Sequence, residues 1–237
     1  HKEKKTKLRF TEKDKKQLYL AAMLHDIGKM DVPLEVMDKP TKLGANEERL
    51  RSRLDMIALR LENDALKGTI SKEKADEKKN EISLFLSKLG LFNCGKPLSD
   101  EDKSFIDKMC SAVYISPDGE ELPYITKEEA DDLHIRAGTL SDEERSIMQS
   151  HVVYTDKILE HMQFGKDFSD VRAIAANHHE LLNAKGYPNG IGADSLDTLT
   201  RILTIMDIYD SLIADDRPYK KAKPVKFQRF FPLCAFF

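Results

Sequence analysis

The chain has 237 residues, of which 41% are hydrophobic and 33% are charged, and its formal net charge is -3. These values suit a soluble globular protein with one large domain, or with one domain that carries an insertion. So small a net charge argues neither for nor against an anionic ligand. No apolar run approaches the ~20 residues of a membrane-spanning helix. The first residues, HKEKKTKLRF, also lack the apolar segment of a secretory signal.

Three cysteines, Cys94, Cys110 and Cys234, are widely spaced along the chain. An odd number at such spacing does not indicate a disulfide framework and favours a reducing compartment. We therefore expect a cytoplasmic protein. Because the sequence does not begin with methionine, we also expect it to be a piece of a longer chain.

The first predicted helix covers residues 13–27. Its apolar positions recur at helical spacing, and Gly28 is expected to end it. The apolar positions of this helix are Leu18, Ala21, Ala22 and Leu24.

Residues 45–134 differ from the rest in their pattern of apolar and charged residues. They are interpreted as a helical insertion between residues 1–44 and 135–224. A narrow stripe of apolar residues, spaced four, three and four positions apart and called the seam below, predicts the first helix of a helical hairpin. The seam consists of Leu50, Leu54, Ile57 and Leu61. Gly68 interrupts this helix, and Ser71 and Ser99 are expected to cap two more, the last with Phe105, Ile106, Met109 and Val113 facing inward. A turn or short β-hairpin is predicted at residues 116–124, and the seam either packs on the parent domain or mediates homodimerisation.

Three more helices are predicted after the insertion. Ser141 and Glu144 form a capping-box pattern ahead of an apolar stripe that extends to Met162. A second stripe begins near Ser169 and extends to Leu182, and a third helix covers residues 199–214. The predicted fold is therefore an all-α helical bundle, with an atypical apolar tail at residues 225–237.

Four of the seven histidines lie on or beside these apolar helical faces: His25, His151, His178 and His179. A single histidine in such a place is usually a core residue with satisfied hydrogen bonds. Since several of these helices must pack together, however, their imidazoles are expected to converge. On a continuous helix His178 and His179 would point about 100° apart and could serve two neighbouring metal ions.

Asp207 lies within the apolar stretch RILTIMDIYDSL. A buried carboxylate without a partner would cost several kcal/mol, so Asp207 needs a metal ion or a cation such as Arg172 or Arg201. The set His25, Asp26, His151, His178, His179 and Asp207 contains no thiolate, which suits catalytic Fe, Mn or Zn. Two such metals are a standard device for the hydrolysis of phosphate esters.

Two further stretches are candidates for ligand contacts. Tyr187 lies between Gly186 and Pro188 and either presents a stacking surface or simply packs over the core. Arg217 and Lys220 lie in the basic stretch DDRPYKKAK and either bind phosphate or belong to a solvated face.

The order HDIGK, HHE, GYP, RILTIMDIYDSL and DRPYKKA resembles the HD-GYP family of phosphodiesterases, as do the linking phrases DKPTKL and GTLSDEERSIMQSH. The resemblance covers residues 13–44 and 135–224, and the block between them resembles the long helical insertion of one subgroup. It implies an all-helical bundle that hydrolyses cyclic di-GMP to pGpG or GMP in bacterial signalling.

Carried over by position, the resemblance implies six metal ligands: His25, Asp26, His151, His178, His179 and Asp207. It assigns Lys29 to the reacting phosphate, Gly186, Tyr187 and Pro188 to substrate and partner contacts, and Arg217 and Lys220 to the substrate phosphates. It implies two or more divalent metals, Fe or Mn first and Zn, Mg or Ni as alternatives. It also implies a fused upstream sensor or receiver domain.

The sequence departs from the family pattern in two informative places. The family carries a further ligand helix upstream of the HD pair, which here would precede the first residue. Ahead of GYP the family has Asp or Asn followed by Gly, whereas this chain has Asn183 followed by Ala184. The turn there is therefore expected to differ.

Two alternatives to cyclic di-GMP hydrolysis remain open on the sequence. One is a catalytically incomplete signalling module that binds nucleotide or docks a diguanylate cyclase (GGDEF-type) domain. The other is an HD phosphohydrolase that acts on a mixed cyclic dinucleotide or another nucleotide. A DNA or RNA polymer is not expected as a partner.

Overall fold

A computed structural model describes residues 9–213. Helices dominate it, which confirms the all-α prediction. In chain order, the α-helices of residues 9–213 are α1 Glu12–Leu24, α2 Leu34–Met37, α3 Asn46–Leu66, α4 Lys72–Phe92, α5 Asp100–Ser111, α6 Lys127–Leu133, α7 Asp142–Gln149, α8 His151–Glu160, α9 Val171–Ala176 and α10 Thr198–Ile213. Two 3-10 turns, at Ile27–Asp31 and Lys166–Phe168, and one antiparallel pair of strands, β1 Val113–Ile115 and β2 Glu121–Pro123, complete the regular structure of that range. Arg217, Lys220 and the predicted tail lie outside it.

The chain divides into two compact units. The first combines the described residues up to Met37 with those from Glu144 onward, and the second is Asp38–Glu143. The predicted insertion, residues 45–134, falls within the second unit.

The first unit is built around α1, α8, α9 and α10. Thr11 caps α1 by accepting a hydrogen bond from the Asp14 amide while the Asp14 carboxylate accepts one from the Thr11 amide. Burial of small and branched side chains from all four helices stabilises the unit because apolar surface leaves water. The buried apolar cluster consists of Ala21, Leu159, Val171, Ile174, Ala175 and Leu203.

The structure corrects three predicted elements of this unit. Helix α1 ends at Leu24, one turn before Gly28, and Ala22 is exposed. The stripe from Ser141 onward is interrupted at Ser150, between α7 and α8. Helix α9 ends at Ala176, so His178 and His179 follow the helix on a turn and the predicted angle between them does not apply.

The second unit contains the predicted helical hairpin, α3 and α4. Its seam is confirmed: Leu50, Leu54, Ile57 and Leu61 are all buried. Gly68 separates the helices at a φ of +72°, a conformation that favours glycine, and Ser71 and Ser99 cap α4 and α5 as predicted. The predicted hairpin is also present, but Val113 belongs to β1 and is 43% exposed instead of facing inward from a helix.

Two properties expected from the sequence can be examined in the described residues. None of the helices within residues 9–213 combines the length and the apolar character that crossing a membrane requires. Cys94 and Cys110 are both free thiols.

Candidate metal centre

His25 and Asp26 lie on the turn that follows α1. The Nδ1 atom of His25 lies 2.8 Å from the Ala22 carbonyl oxygen, one turn back along the helix. A carbonyl oxygen can only accept a hydrogen bond, so Nδ1 carries a proton, and in the neutral imidazole Nε2 is the atom with the free lone pair. The end of α1 therefore sets both the position and the tautomer of His25.

His151 and His178 are held in the same way. Their Nδ1 atoms lie 2.6 Å from the carbonyl oxygens of Met148 and Ala175, respectively. Both side chains are buried, and His178 has no exposed surface. A hydrogen bond from Nδ1 to a backbone carbonyl is how metal-binding histidines are commonly oriented, because it directs the basic Nε2 atom towards the ion.

Asp207, on α10, faces two of the histidines. One of its oxygens lies 3.8 Å from His25 Nε2, and the other lies 3.8 Å from His179 Nδ1. The two arginines considered as alternative partners are engaged elsewhere. Arg172 pairs with Asp156 and Glu160, and Arg201 donates to the backbone carbonyls of Leu196 and Ala193. Neither Arg172 nor Arg201 is therefore the partner of Asp207.

Asp26 presents its two oxygens to opposite sides. Oδ2 lies 3.3 Å from His25 Nε2 and 2.6 Å from Lys29 Nζ. Oδ1 lies 3.4 Å from His151 Nε2 and 3.9 Å from His178 Nε2. A carboxylate with this placement can contribute one oxygen to each of two neighbouring positions.

Three atoms of this cluster are buried without a hydrogen-bond partner among the described residues: Asp26 Oδ1, His151 Nε2 and His178 Nε2. Buried polar atoms are nearly always paired, because an unpaired one costs about 1–3 kcal/mol. All three are lone-pair donors that face one another, so no hydrogen bond among them can satisfy them. A cation between them would satisfy all three.

Two groups of possible ligands meet the distance requirement for a metal ion. His151, His178 and His179 form one, and His25, Asp26 and His178 form the other, with the ligand atoms of each group within 4.8 Å of one another. The donors are nitrogen and carboxylate oxygen, as in catalytic Zn, Fe or Mn sites. Five of the six predicted ligands belong to these groups, and the sixth, Asp207, lies beside His25 and His179.

The pKa directions agree with such a role. Burial lowers the pKa of His178 to about 4, and burial together with the neighbouring His178 lowers that of His179 to about 3. Both imidazoles are therefore neutral at pH 7, as metal ligands must be. Burial opposes the ionisation of Asp26 and Asp207, but hydrogen bonds from His25 hold the pKa of both carboxyls below the usual range.

His25 differs from the other histidines of the cluster. Burial alone would lower its pKa, but hydrogen bonds to Asp207 and Asp26 raise that pKa to about 10. A metal ion bound by His25 would replace the proton on Nε2.

Tyr187 lies against the cluster. Its ring is stacked on His179, with the ring centroids 4.8 Å apart and the planes inclined by 30°. The Tyr187 amide donates to the His179 carbonyl oxygen at 3.2 Å. Gly186 is required beside it, because a Cβ atom there would lie 2.5 Å from the backbone of residues 179–181. Pro188 follows directly and is exposed.

Glu180 has a role that the sequence analysis did not assign. Its side chain is only 1% exposed, and its carboxylate accepts hydrogen bonds from three consecutive backbone amides, those of Asn189 at 2.6 Å, Gly190 at 3.0 Å and Ile191 at 3.0 Å. Glu180, the last residue of the HHE segment, therefore connects that segment to the residues that follow GYP. In the sequence, this role could have been inferred from an acidic residue that directly follows two candidate ligands and lies nine residues before a polar turn.

Lys29 is part of the same surface. Its Nζ atom donates to Asp26 Oδ2, and its side chain is 36% exposed. The ammonium group therefore lies at the rim of the cluster, where a charged ligand could reach it.

The sequence profile of the HD domain family matches residues 121–226. The 3'3'-cGAMP-specific phosphodiesterase 3 of Vibrio cholerae is 38% identical over 90 residues, which are 38% of this chain and 19% of that protein. The cyclic di-GMP phosphodiesterase response regulator RpfG of Xanthomonas campestris is 32% identical over 93 residues, 39% of this chain and 24% of that protein. A cyclic di-GMP phosphodiesterase of Thermotoga maritima is 30% identical over 101 residues, 40% of this chain and 26% of that protein.

The matched part of the chain thus spans about a fifth to a quarter of the length of these relatives. The HD-domain match contains His151, His178, His179 and Asp207, and the HD pair at His25 and Asp26 lies before it. The structure joins the two parts in one cluster. The motifs, this cluster and the matches together support an assignment of the chain to the HD-GYP family.

Proposed function

We propose that the chain is a cytoplasmic, metal-dependent phosphodiesterase that hydrolyses a cyclic dinucleotide, cyclic di-GMP in the first instance, to pGpG or GMP in bacterial signalling. The observation that carries this proposal is the set of three buried, unpaired atoms that converge at Asp26, His151 and His178. The names of the relatives support a cyclic dinucleotide substrate and include both cyclic di-GMP and 3'3'-cGAMP.

The donor set would suit two divalent metal ions. His25, Asp26 and His178 would be one group of ligands and His151, His178 and His179 the other, with Asp207 beside His25 and His179. We propose Fe or Mn, with Zn, Mg or Ni as alternatives, because the donors are imidazole and carboxylate without thiolate. Bound there, the ions would supply Lewis-acid stabilisation of a phosphoryl group and would lower the pKa of a coordinated water.

The protein's own residues prepare the site for a phosphodiester. The hydrogen bonds from Nδ1 of His151 and His178 to backbone carbonyls direct their Nε2 lone pairs inward. The corresponding bond of His25 would do the same once Nε2 has lost its proton. Lys29, at the exposed rim, can hold a non-bridging phosphate oxygen and can shift from Asp26 to the developing negative charge. Asp26 is the second proposed catalytic residue, because the oxygen that accepts from Lys29 also lies 3.3 Å from His25 Nε2.

The remaining parts of the proposal concern substrate contacts and partners. Tyr187, between Gly186 and Pro188, positions His179 and offers the edge of its ring to the substrate. Arg217 and Lys220, outside the described residues, are proposed to hold the substrate phosphates. We also propose that an upstream sensor or receiver domain controls the site, and that residues 45–134 are an insertion. GGDEF-domain docking and homodimerisation are proposed as modes of assembly.

The test combines metal analysis with turnover on the same sample. The chain is purified after growth with iron or manganese, the metal content is measured by elemental analysis, and cyclic di-GMP and 3'3'-cGAMP are assayed by chromatography. We expect two or more metal ions per chain and release of a linear dinucleotide or mononucleotide. Absence of product at saturating iron and at saturating manganese would favour the alternative, a signalling module that binds nucleotide without turnover.

The matched variants are His178→Ala and His161→Ala. His178 is fully buried in the cluster, whereas His161 is exposed at the end of α8 in the same unit. We expect His178→Ala to lower turnover at least a hundredfold while the protein stays folded by circular dichroism. His161→Ala should retain wild-type turnover and metal content. Wild-type turnover in His178→Ala would refute the proposed function.

A further inference from the structure

The β-hairpin of the second unit has one open edge. Two hydrogen bonds flank the strands, from the Tyr124 amide to the Ala112 carbonyl at 2.8 Å and from the Ser116 amide to the Glu120 carbonyl at 2.7 Å. In an antiparallel pair such bonded residues alternate with residues whose backbone groups point outward. The N–H and C=O groups of Val113 and Ile115 therefore point away from β2, and none of the residues from 9 to 213 bonds to them.

The two edges of the hairpin are protected differently. On β2 the outward positions are Glu121, which is charged, and Pro123, which lacks an N–H group. Charge and proline are the usual protection of an edge strand against pairing with another chain. On β1 the outward positions are Val113 and Ile115, which are 43% and 50% exposed and carry neither protection. An extended chain can therefore pair with β1 but not readily with β2.

A groove of about 330 Å³ is lined by all three residues of β1 and by Glu121 of β2. Apolar side chains from the hairpin and the α3–α4 region line it, among them Leu61, Ile70 and Tyr114. The groove thus offers apolar surface next to the open backbone groups. An added strand would place alternate side chains in such a groove.

The groove also carries positive charge. Arg60, Lys74 and Lys78 line it, and none of these three cations has an ion-pair partner within the described part of the chain. They outnumber the two carboxylates in the lining, Asp64 and Glu121. A second copy of the chain paired through β1 would bring two such sets of cations together and would be repelled. A negatively charged segment would be attracted.

From these observations we propose that β1 is the docking site for an extended, acidic segment of another protein, which adds to the hairpin as a third strand. Its backbone pairs with Val113 and Ile115, its apolar side chains enter the groove, and its carboxylates face Arg60, Lys74 and Lys78. All these residues lie within Asp38–Glu143. The proposal is therefore independent of the proposed phosphodiesterase activity.

The probe is a fluorescein-labelled peptide of alternating residues, Glu-Val-Glu-Val-Glu-Val-Glu, compared with its counterpart in which Lys replaces Glu. Fluorescence anisotropy against the full chain measures binding, and amide hydrogen exchange followed by NMR locates it. We expect saturable binding of the acidic peptide, at least tenfold tighter than that of the basic one, with slower exchange at Val113 and Ile115. No saturable binding, or equal binding of the two peptides, would overturn the proposal.

Three variants separate strand pairing from general charge attraction. Ile115→Pro removes an outward N–H group from β1, and Glu121→Pro makes the matched change on β2; proline is tolerated at edge positions of this kind. We expect Ile115→Pro to weaken binding at least tenfold and Glu121→Pro less than twofold. The double variant Lys74→Glu/Lys78→Glu, which alters only groove-lining lysines on α4, should weaken binding at least fivefold.

Either of two results would contradict the strand-addition proposal. One is wild-type affinity in the Lys74→Glu/Lys78→Glu protein, which remains informative even if Ile115→Pro does not fold. The other is sedimentation of the wild-type chain as a dimer that Ile115→Pro dissociates, because β1 would then be occupied by a second copy.

Discussion

Glu180 connects two segments of the candidate site through backbone hydrogen bonds. Its buried carboxylate accepts from three consecutive amides, and these amides follow directly after Tyr187 and Pro188. Tyr187 in turn is stacked on His179. Glu180 is thus connected to one of the proposed ligands, His179, through the loop that carries Tyr187.

We expect Glu180→Ala to destabilise the protein by about 1–3 kcal/mol, because three partly buried hydrogen bonds to backbone amides would be lost. Loosening of the loop should also free the Tyr187 ring and lower metal occupancy at His179. Urea unfolding measures the first effect and elemental analysis the second. Glu180→Gln keeps the shape and at least one acceptor oxygen, so it should lie between wild type and Glu180→Ala. Unchanged stability and metal content in Glu180→Ala would refute the positioning role.

Ala184 has an unfavourable backbone conformation. Its φ is +58°, and within residues 9–213 it is the only residue other than glycine that has a positive φ. The family pattern has glycine at this position. Alanine here occupies a left-handed conformation, which costs a residue with a Cβ atom about 1–2 kcal/mol.

Ala184→Gly should therefore stabilise the protein. The net gain should be about 1 kcal/mol, because glycine removes the strain in the folded state but also makes the unfolded chain more flexible. Ala193→Gly is the matched control, since Ala193 is an exposed alanine on the same loop with an ordinary negative φ. The control should be neutral or slightly destabilising. Midpoints of thermal unfolding compare the two, and a lower midpoint for Ala184→Gly than for Ala193→Gly would contradict the strain argument.

At the scale of the elements, α8 docks closely on the turn that carries the HD pair. The Gly28 amide donates to Thr155 Oγ1 at 3.0 Å, and that hydroxyl donates to the His25 carbonyl at 2.9 Å. A Cβ atom on residue 28 would lie 2.0 Å from the His151 carbonyl oxygen and 2.5 Å from the Thr155 amide nitrogen. The close approach of backbone to backbone brings His151 to Asp26.

Gly28→Ala must therefore separate the turn from α8. We expect a loss of several kcal/mol in unfolding free energy, typical of overpacking against backbone, and a parallel loss of metal binding. Gly90→Ala is the control, because Gly90 is a helical glycine on α4 with no atom within 4 Å of the added Cβ. That change should stabilise the helix by about 1 kcal/mol. Wild-type metal affinity in Gly28→Ala would show that the approach is not required.

Helical periodicity predicted the elements better than it predicted their ends. The seam from Leu50 to Leu61 was predicted because burial repeats with the helical period, and the structure confirms it. The end of α9 at Ala176 was not predicted, since His178 continues the apolar stripe although the backbone has already turned. The grouping of the six His and Asp side chains followed from their core-facing positions. The role of Glu180 did not, because it depends on the path of residues 189–191, which no local pattern encodes.

At the scale of the whole molecule, the candidate metal centre belongs to one unit and the proposed docking edge to the other. Each has its own buried apolar cluster, with Leu54, Phe85 and Ile106 in the second unit and Ala21, Ile174 and Leu203 in the first. A ligand that binds only the folded form of a unit stabilises it by mass action. Metal ions and a docked peptide should thus act on different parts of the chain.

We expect manganese or iron to stabilise the first unit by about 2.7 kcal/mol at a free concentration of 100 times Kd. The three unpaired atoms at Asp26, His151 and His178 would gain a partner, and their present desolvation cost would be removed. Amide hydrogen exchange can follow the two units separately. Metal should increase the protection of amides in α8 and α9. The protection of amides in α3 and α4 should increase only if the two units unfold together. A chelator should reverse the effect. His178→Ala should abolish it, whereas His161→Ala should keep it. Equal stabilisation of His178→Ala by metal would mean that the ion binds elsewhere and that the unpaired atoms are not its ligands.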